Sequence, residues 1–270
     1  MKTAVFLLLF SAQVVAQHHT RLNPATIEVH YHHTMQRDTV RRLATETDSM
    51  ILRIGASASQ FFSRHTFYYD SLWNDPDGRA TAEALTLEAF RTRDHSKEPR
   101  VRTTYDYLYK NYPAGRITTT NEQFHVACRY DEATPSISWV VADSVRTILG
   151  HPCRMATADF RGRHWTAWFA TDIPVSDGPW KLGGLPGLIL EAYDKGHQYT
   201  FTAVGLERVA EEPIVFTRRR GKNGYRTVDR RAFLKAKMFD LTHGGALGAS
   251  GLKSTDYEPI YMDLIERDYR

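Results

Sequence analysis

The chain has 270 residues and a formal net charge of +4 from 35 Lys and Arg against 31 Asp and Glu, too small an excess to argue for nucleic acid as a partner. Phe, Tyr and Trp make up 12% of the residues, a composition suited to pleated, half-buried surfaces rather than to a helical bundle. Two cysteines, Cys128 and Cys153, exclude a disulfide-dense scaffold and leave room for one bridge.

Met1-Lys2 gives a positive start, residues 4–10 are apolar, and Val14-Val15-Ala16 offers small residues before a cut, so residues 1–16 read as a signal peptide. The apolar run is well short of the roughly 20 residues of a spanning helix, and no later run is longer, so no transmembrane segment is expected after cleavage. Residues 17–270 are then expected to be exported, to the periplasm or beyond, as a single β-rich domain with a basic segment over 211–270. Export also removes nucleic acid as a partner.

In chain order, residues 26–33 alternate, with Ile27, Val29 and Tyr31 on one face and Glu28, His30 and His32 on the other, which predicts a strand with one wet face. A short strand is expected over 50–54. Asn74-Asp75-Pro76-Asp77-Gly78 is turn chemistry, followed by an Ala, Leu and Glu-rich helix over 81–91. Residues 91–102 read as a connecting loop. Strands are expected over 123–130, 136–142, 146–160, 164–170, 188–193 and 198–206, with tight connections at Asp143-Ser144, Arg161-Gly162-Arg163 and 194–197. Asn223-Gly224 signals a hairpin after the basic run 218–222. Thr227 or Asp229 then caps a helix over 230–240, and the glycine-rich 243–251 is expected to be mobile. The fold class is mainly β (α+β): an antiparallel β-meander, extended in one reading to an incomplete barrel, with one or two short helices.

The densest signal is Gly178-Pro179-Trp180-Lys181 followed by Gly184-Leu185-Pro186-Gly187-Leu188-Ile189. With Phe160-Arg161-Gly162-Arg163, Ala167-Trp168-Phe169, Ile173-Pro174 and Asp194, and more weakly Arg37-Asp38-Thr39 and residues 55–63, it resembles the GLPGLI family of secreted Bacteroidota proteins. Leu182-Gly183 departs slightly from that pattern. The resemblance implies export and no established activity, and Cys153 stands where that family has a cysteine. The module is also similar to one at the front of a bacterial peptide:N-glycanase, which implies an accessory, binding role.

Two readings of the motif follow from its chemistry. In one, Trp180, Leu182 and Leu185 plug one end of the sheet while the glycines permit close packing. In the other, free turn amides with Arg161, Arg163 and Lys181 form an anion seat. Trp165 and Trp168 fall on opposite faces of their strand, so one is a candidate for lining a cavity or meeting a partner. Glu28, His30 and His32 on one strand face form a candidate metal set, with His18-His19 within reach. Cys128 and Cys153 form a candidate disulfide, worth roughly 3.5 kcal/mol by loop closure.

HExxH, GxSxG and the phosphate-binding GxxxxGK[ST] are missing. Asp159, Asp172, Asp177 and Asp194 are candidate glycosidase carboxylates without known separation. No cofactor is implied. The expected function is an exported, non-catalytic binding or accessory protein of the envelope whose partner is an envelope protein, a lipid or a peptide. The alternatives are a carrier of a hydrophobic or anionic ligand, and a hydrolase or metal-binding protein.

Overall fold

Two antiparallel meanders share one sheet. The computed structural model describes residues 19–38, 45–96, 98–99, 104–122, 127–217, 224–247 and 263–270, so the expected signal peptide, His18 and Asn223 lie outside it. The first meander comprises β2 (Ala25–Met35), β3 (Glu46–Gly55), β4 (Ser59–Ser63), β5 (Asp106–Lys110), β6 (Arg116–Asn121) and β7 (Cys128–Ala133). The second comprises β8 (Val140–Ile148), β9 (His151–Phe160), β10 (Arg163–Ala170), β11 (Ile189–Asp194) and β12 (Tyr199–Glu212). β12 pairs with β2 and joins the halves, while β14 (Arg226–Thr227) adds in parallel beside β7. The remaining strands, β1 (His19–Arg21) and β13 (Val215–Thr217), make a separate two-stranded ribbon.

The long sheet does not close; β14 and β8 are its edges. It curls nonetheless. Glu132 of β7 pairs with Arg161 of the β9–β10 turn, although seven strands separate β7 from β10 in the sheet order. The concave side carries Val29 and Tyr31 of β2, Leu52 of β3, Phe61 of β4, Trp165 of β10 and Phe201 of β12, all buried. Phe61 and Trp165 both meet the Phe201 ring, and the Tyr31 hydroxyl donates to the Ile189 carbonyl at 2.6 Å.

Among the described residues there are three helices rather than one or two. α1 (Arg64–Asn74) is capped by the Ser63 hydroxyl and packs Phe67 on Phe62 outside the sheet. Its aromatic, strand-favouring composition hid it. The turn chemistry at 74–78 is the start of α2 (Pro76–Thr92): the Asp75 carboxylate accepts from the Gly78 amide at 2.7 Å and Pro76 takes the first turn. α3 (Arg230–Leu247) is capped by Asp229, which accepts from the Ala232 amide at 3.0 Å, and continues to Leu247 into the glycine-rich stretch expected to be mobile.

Other boundaries differ as well. Residues 146–160 are not one strand: Leu149 and Gly150, at φ 50° and 83°, form a two-residue hairpin between β8 and β9. Asp143-Ser144 is no turn but lies inside β8, where a bulge between Val141 and Val145 absorbs it. The β5–β6 hairpin falls in a stretch that the alternation pattern left unassigned; its turn uses Asn111 and Gly115 at φ 56° and 73°.

Candidate functional site

The β10–β11 connection, residues 171–188, lies in the hollow of the curled sheet. Trp180, Leu182, Leu185 and Leu188 are buried there, and the Trp180 ring packs on Phe160 and Trp165. Gly187 passes so close to β10 that a Cβ would stand 1.9 Å from the Ala170 carbonyl oxygen. Gly184 takes φ 87° and turns the chain beside Trp139, whose indole donates to the Gly183 carbonyl at 2.9 Å. The motif Gly184, Leu185, Pro186, Gly187, Leu188 and Ile189 thus turns the chain and anchors it, with Ile189 opening β11.

The cations beside the motif do not form an open anion seat, because the chain's own carboxylates fill it. Lys181 is buried and meets Glu266 at 2.5 Å, Glu132, and the Tyr130 hydroxyl at 3.2 Å. Burial works against its charge, but the Tyr130 hydroxyl, Glu266 and Glu132 prevail and hold its pKa above the ordinary lysine value. Arg161 pairs with Glu132 and with Asp268 at 2.8 Å, and Arg230 pairs with Glu266 at 2.5 Å and Asp268 at 2.7 Å. Burial acts to raise the Asp268 carboxyl, but the hydrogen bonds from Arg230 and Arg161 outweigh it and hold the pKa at about 2.

Arg163 donates to Asp194 at 2.6 Å and to the carbonyls of Leu264 and Ile265 at 2.6 and 2.9 Å. Residues 263–270 therefore form a strap across the hollow. The Arg267 amide closes on the Arg161 carbonyl at 2.9 Å, and the strap presses on Gly162, where a Cβ would come within 2.8 Å of the Arg267 Cβ. Glu132, Glu266, Asp268 and Arg230 belong to this cluster and were missed in the sequence, since no motif marks single acids on an unrelated strand and tail.

At the lip of the motif loop is an open cleft of about 370 Å³. Ser176, Gly183 and Gly184 of the motif loop line it together with Ser57, Ser59, Thr134 and Pro135. Lys110 closes the floor, bound to Asp177 at 2.6 Å and to the Gly178 and Leu182 carbonyls at 2.5 and 3.1 Å. Burial pushes the Lys110 ammonium pKa down, and Asp177 offsets part of that. A smaller apolar hollow of about 70 Å³ lies between Trp180, Phe61, Phe201 and the strap.

Trp165 and Trp168 do face opposite ways, and both are buried among the described residues. Trp165 is in the core, and Trp168 is covered by the Arg146 guanidinium 4.1 Å from its ring centre. Asp159, Asp172, Asp177 and Asp194 do not pair as catalytic carboxylates; their respective partners are His164, His151, Lys110 and Arg163. Cys128 on β7 and Cys153 on β9 are separate thiols on non-adjacent strands, not a disulfide. Of the proposed metal set, Glu28 and His30 converge, but the third group is Glu207 of β12 in place of His32, which lies exposed farther along β2. His30 Nε2 is 3.1 Å from Glu28 Oε1 and 3.1 Å from Glu207 Oε1.

Residues 158–191 match the model of a family described as a protein of unknown function (Porph_ging). The match runs from the end of β9 through β10 and the loop in the hollow to the first residues of β11, and includes most of the stretch that carries the GLPGLI resemblance, although that name is not part of the description. No curated protein matches the chain. Two solved structures of PNGF-II, in P21 and C2 space groups, are similar to it at 11% and 12% identity, with TM-scores of 0.49 and 0.48. They cover 78% and 79% of this chain, which spans 32% of the length of each.

Proposed function

We propose that this protein is an exported, non-catalytic binding or accessory module of the cell envelope, which engages a partner through the cleft beside the motif loop. The filled interior carries this reading. The hollow of the sheet holds Trp180, Leu182, Leu185 and the 263–270 strap, and its ionised groups are committed to one another. Among the described residues, the apolar hollow beside Trp180 and Phe201 holds about 70 Å³, far below the roughly 300 Å³ of a small-molecule pocket, which weighs against a carrier of lipid. The cleft is large enough for a short ligand segment and is lined by hydroxyls, glycines, Asn111 and apolar side chains, and its charged members Lys110, Asp177 and Lys181 are already paired within the chain. That lining suits a polar, uncharged stretch of peptide from another envelope protein.

The test is a photo-crosslinking residue placed at Ser176, with crosslinking carried out in the native envelope. A discrete protein adduct that disappears when Ser57→Trp, at another lining position, fills the cleft is expected. Crosslinking unaffected by that substitution, or a stoichiometric lipid retained in native mass spectrometry, refutes the reading.

A further inference from the structure

The outer face of the sheet carries a second site, independent of the cleft. We propose that Glu28, His30 and Glu207 bind a divalent transition-metal ion at the β2–β12 seam. Ligand atoms held about 2.0–2.2 Å from such an ion stand about 2.8–3.1 Å from their neighbours in an octahedral shell and about 3.3–3.6 Å apart in a tetrahedral one. The two imidazole–carboxylate separations, both 3.1 Å, fit the octahedral spacing, and all three ligand atoms fall within 4.8 Å of one another.

The strand register supplies a second, separate argument. Glu207 and Glu28 are directly opposed across β12 and β2, and two like charges in that relation repel. Arg53 of β3 offsets only part of this. Its Nε takes one oxygen of Glu28 at 2.7 Å and its Nη2 reaches Glu212 at 3.3 Å, while the other Glu28 oxygen faces His30 and, among the described residues, Glu207 has no cation beside it other than that imidazole. A neutral imidazole carries one proton between its two nitrogens and so has at most one N–H at Nε2 to share between two carboxylates. A dication at that point satisfies both carboxylates and accepts the imidazole lone pair.

The backbone keeps this position open. A register shift between Ala203 and Gly205 sets Gly205, which has no side chain, opposite His30 and brings Glu207 opposite Glu28. A Cβ at Gly205 would sit 3.5 Å from the His30 ring, the place now left clear. His30, His32, Gly205 and Arg64 border an outer hollow of about 440 Å³, so the His30 edge of the site is open to solvent. One imidazole and two carboxylates suit zinc or manganese better than the thiophilic ions, and water completes the shell.

The test uses the untagged full chain dialysed against chelator-buffered Zn2+, with bound zinc counted by mass spectrometry of the ion. One zinc per chain is expected, with affinity at least about tenfold weaker in His30→Asn and in Glu207→Gln and unchanged in His32→Asn. Glu207 is 59% exposed, so its substitution leaves the fold intact, and far-ultraviolet circular dichroism verifies this. No retained zinc, equal affinity in Glu207→Gln and the unsubstituted protein, or a loss caused by His32→Asn overturns the assignment.

Discussion

Glu266→Gln is the sharpest test of the strap. Glu266 is almost fully buried and takes Lys181 and Arg230 at 2.5 Å each, within a cluster of three cations (Lys181, Arg161, Arg230) and three anions (Glu132, Glu266, Asp268). Neutralising one anion leaves a positive charge uncompensated where Lys181 has no access to water, and breaking a buried pair in this way costs about 3–5 kcal/mol. The companion substitution, Lys181→Met, removes a cation from the same cluster. The double variant restores balance, with Arg161 and Arg230 against Glu132 and Asp268, so its loss is smaller than the sum of the singles by at least about 1 kcal/mol. Urea unfolding followed by tryptophan emission reads both quantities, because Trp180 sits beside Lys181 and packs on Trp165. The midpoint moves while the slope stays fixed. A shift for Glu266→Gln within about 0.5 kcal/mol, the range of an exposed surface change, or strict additivity in the cycle refutes the seated strap.

The motif glycines separate by mechanism: Gly187→Ala meets a backbone carbonyl that cannot step aside and costs about 3 kcal/mol or more, whereas Gly183→Ala makes only a 3.5 Å contact with the Ser176 carbonyl and stays within about 1 kcal/mol. Equal losses in thermal unfolding contradict the packing described. His33 is buried on the Phe201 ring with Nδ1 2.7 Å from the Thr200 carbonyl. Burial lowers its pKa from 6.5 to about 4, with the Thr200 bond opposing and the charges of Arg37 and His32 adding to the fall. The unfolded chain takes up a proton first, so this contribution to stability is full above pH 6.5 and is lost as pH drops toward 4, by about 3 kcal/mol in all. The difference in unfolding free energy between the unsubstituted protein and His33→Asn, measured from pH 7.5 to 4, follows that curve; a flat difference rules it out. Cys128 and Cys153 react as two thiols in denaturant without reductant, and a mass that rises by two hydrogens on reduction disproves this.

How far the sequence speaks depends on the range of the interaction that decides each feature. Alternation at Ile27, Val29 and Tyr31 and the glycine turn at Arg161-Gly162 are local, and both place strands of the structure. Leu149-Gly150 was hidden because the apolar pattern runs straight through the turn, and α1 because its Phe67, Tyr68 and Tyr69 favour strands while the Ser63 cap and packing on Phe62 decide for a helix. The site was half legible. Lys181, Arg161 and Arg163 stood out by their spacing around the motif, but most of their partners sit on β7 and in residues 263–270, joined only by the curl of the sheet. For the same reason His32 looked like a partner of His30, being two residues away, while Glu207 is 177 residues distant and adjacent only through the β2–β12 pairing.

That pairing also dictates the order in which the molecule can be finished. Residue 33 stands beside residue 201, so closing the seam gathers a long stretch of chain and makes it a late, slow event rather than a nucleus. As the polypeptide is made, the first meander must wait with the rim of β2 bare until the last third of the chain arrives, and an unpaired rim is an invitation to wrong partners. Interrupting the chain after β7 therefore yields an exposed half-sheet rather than a smaller version of the domain.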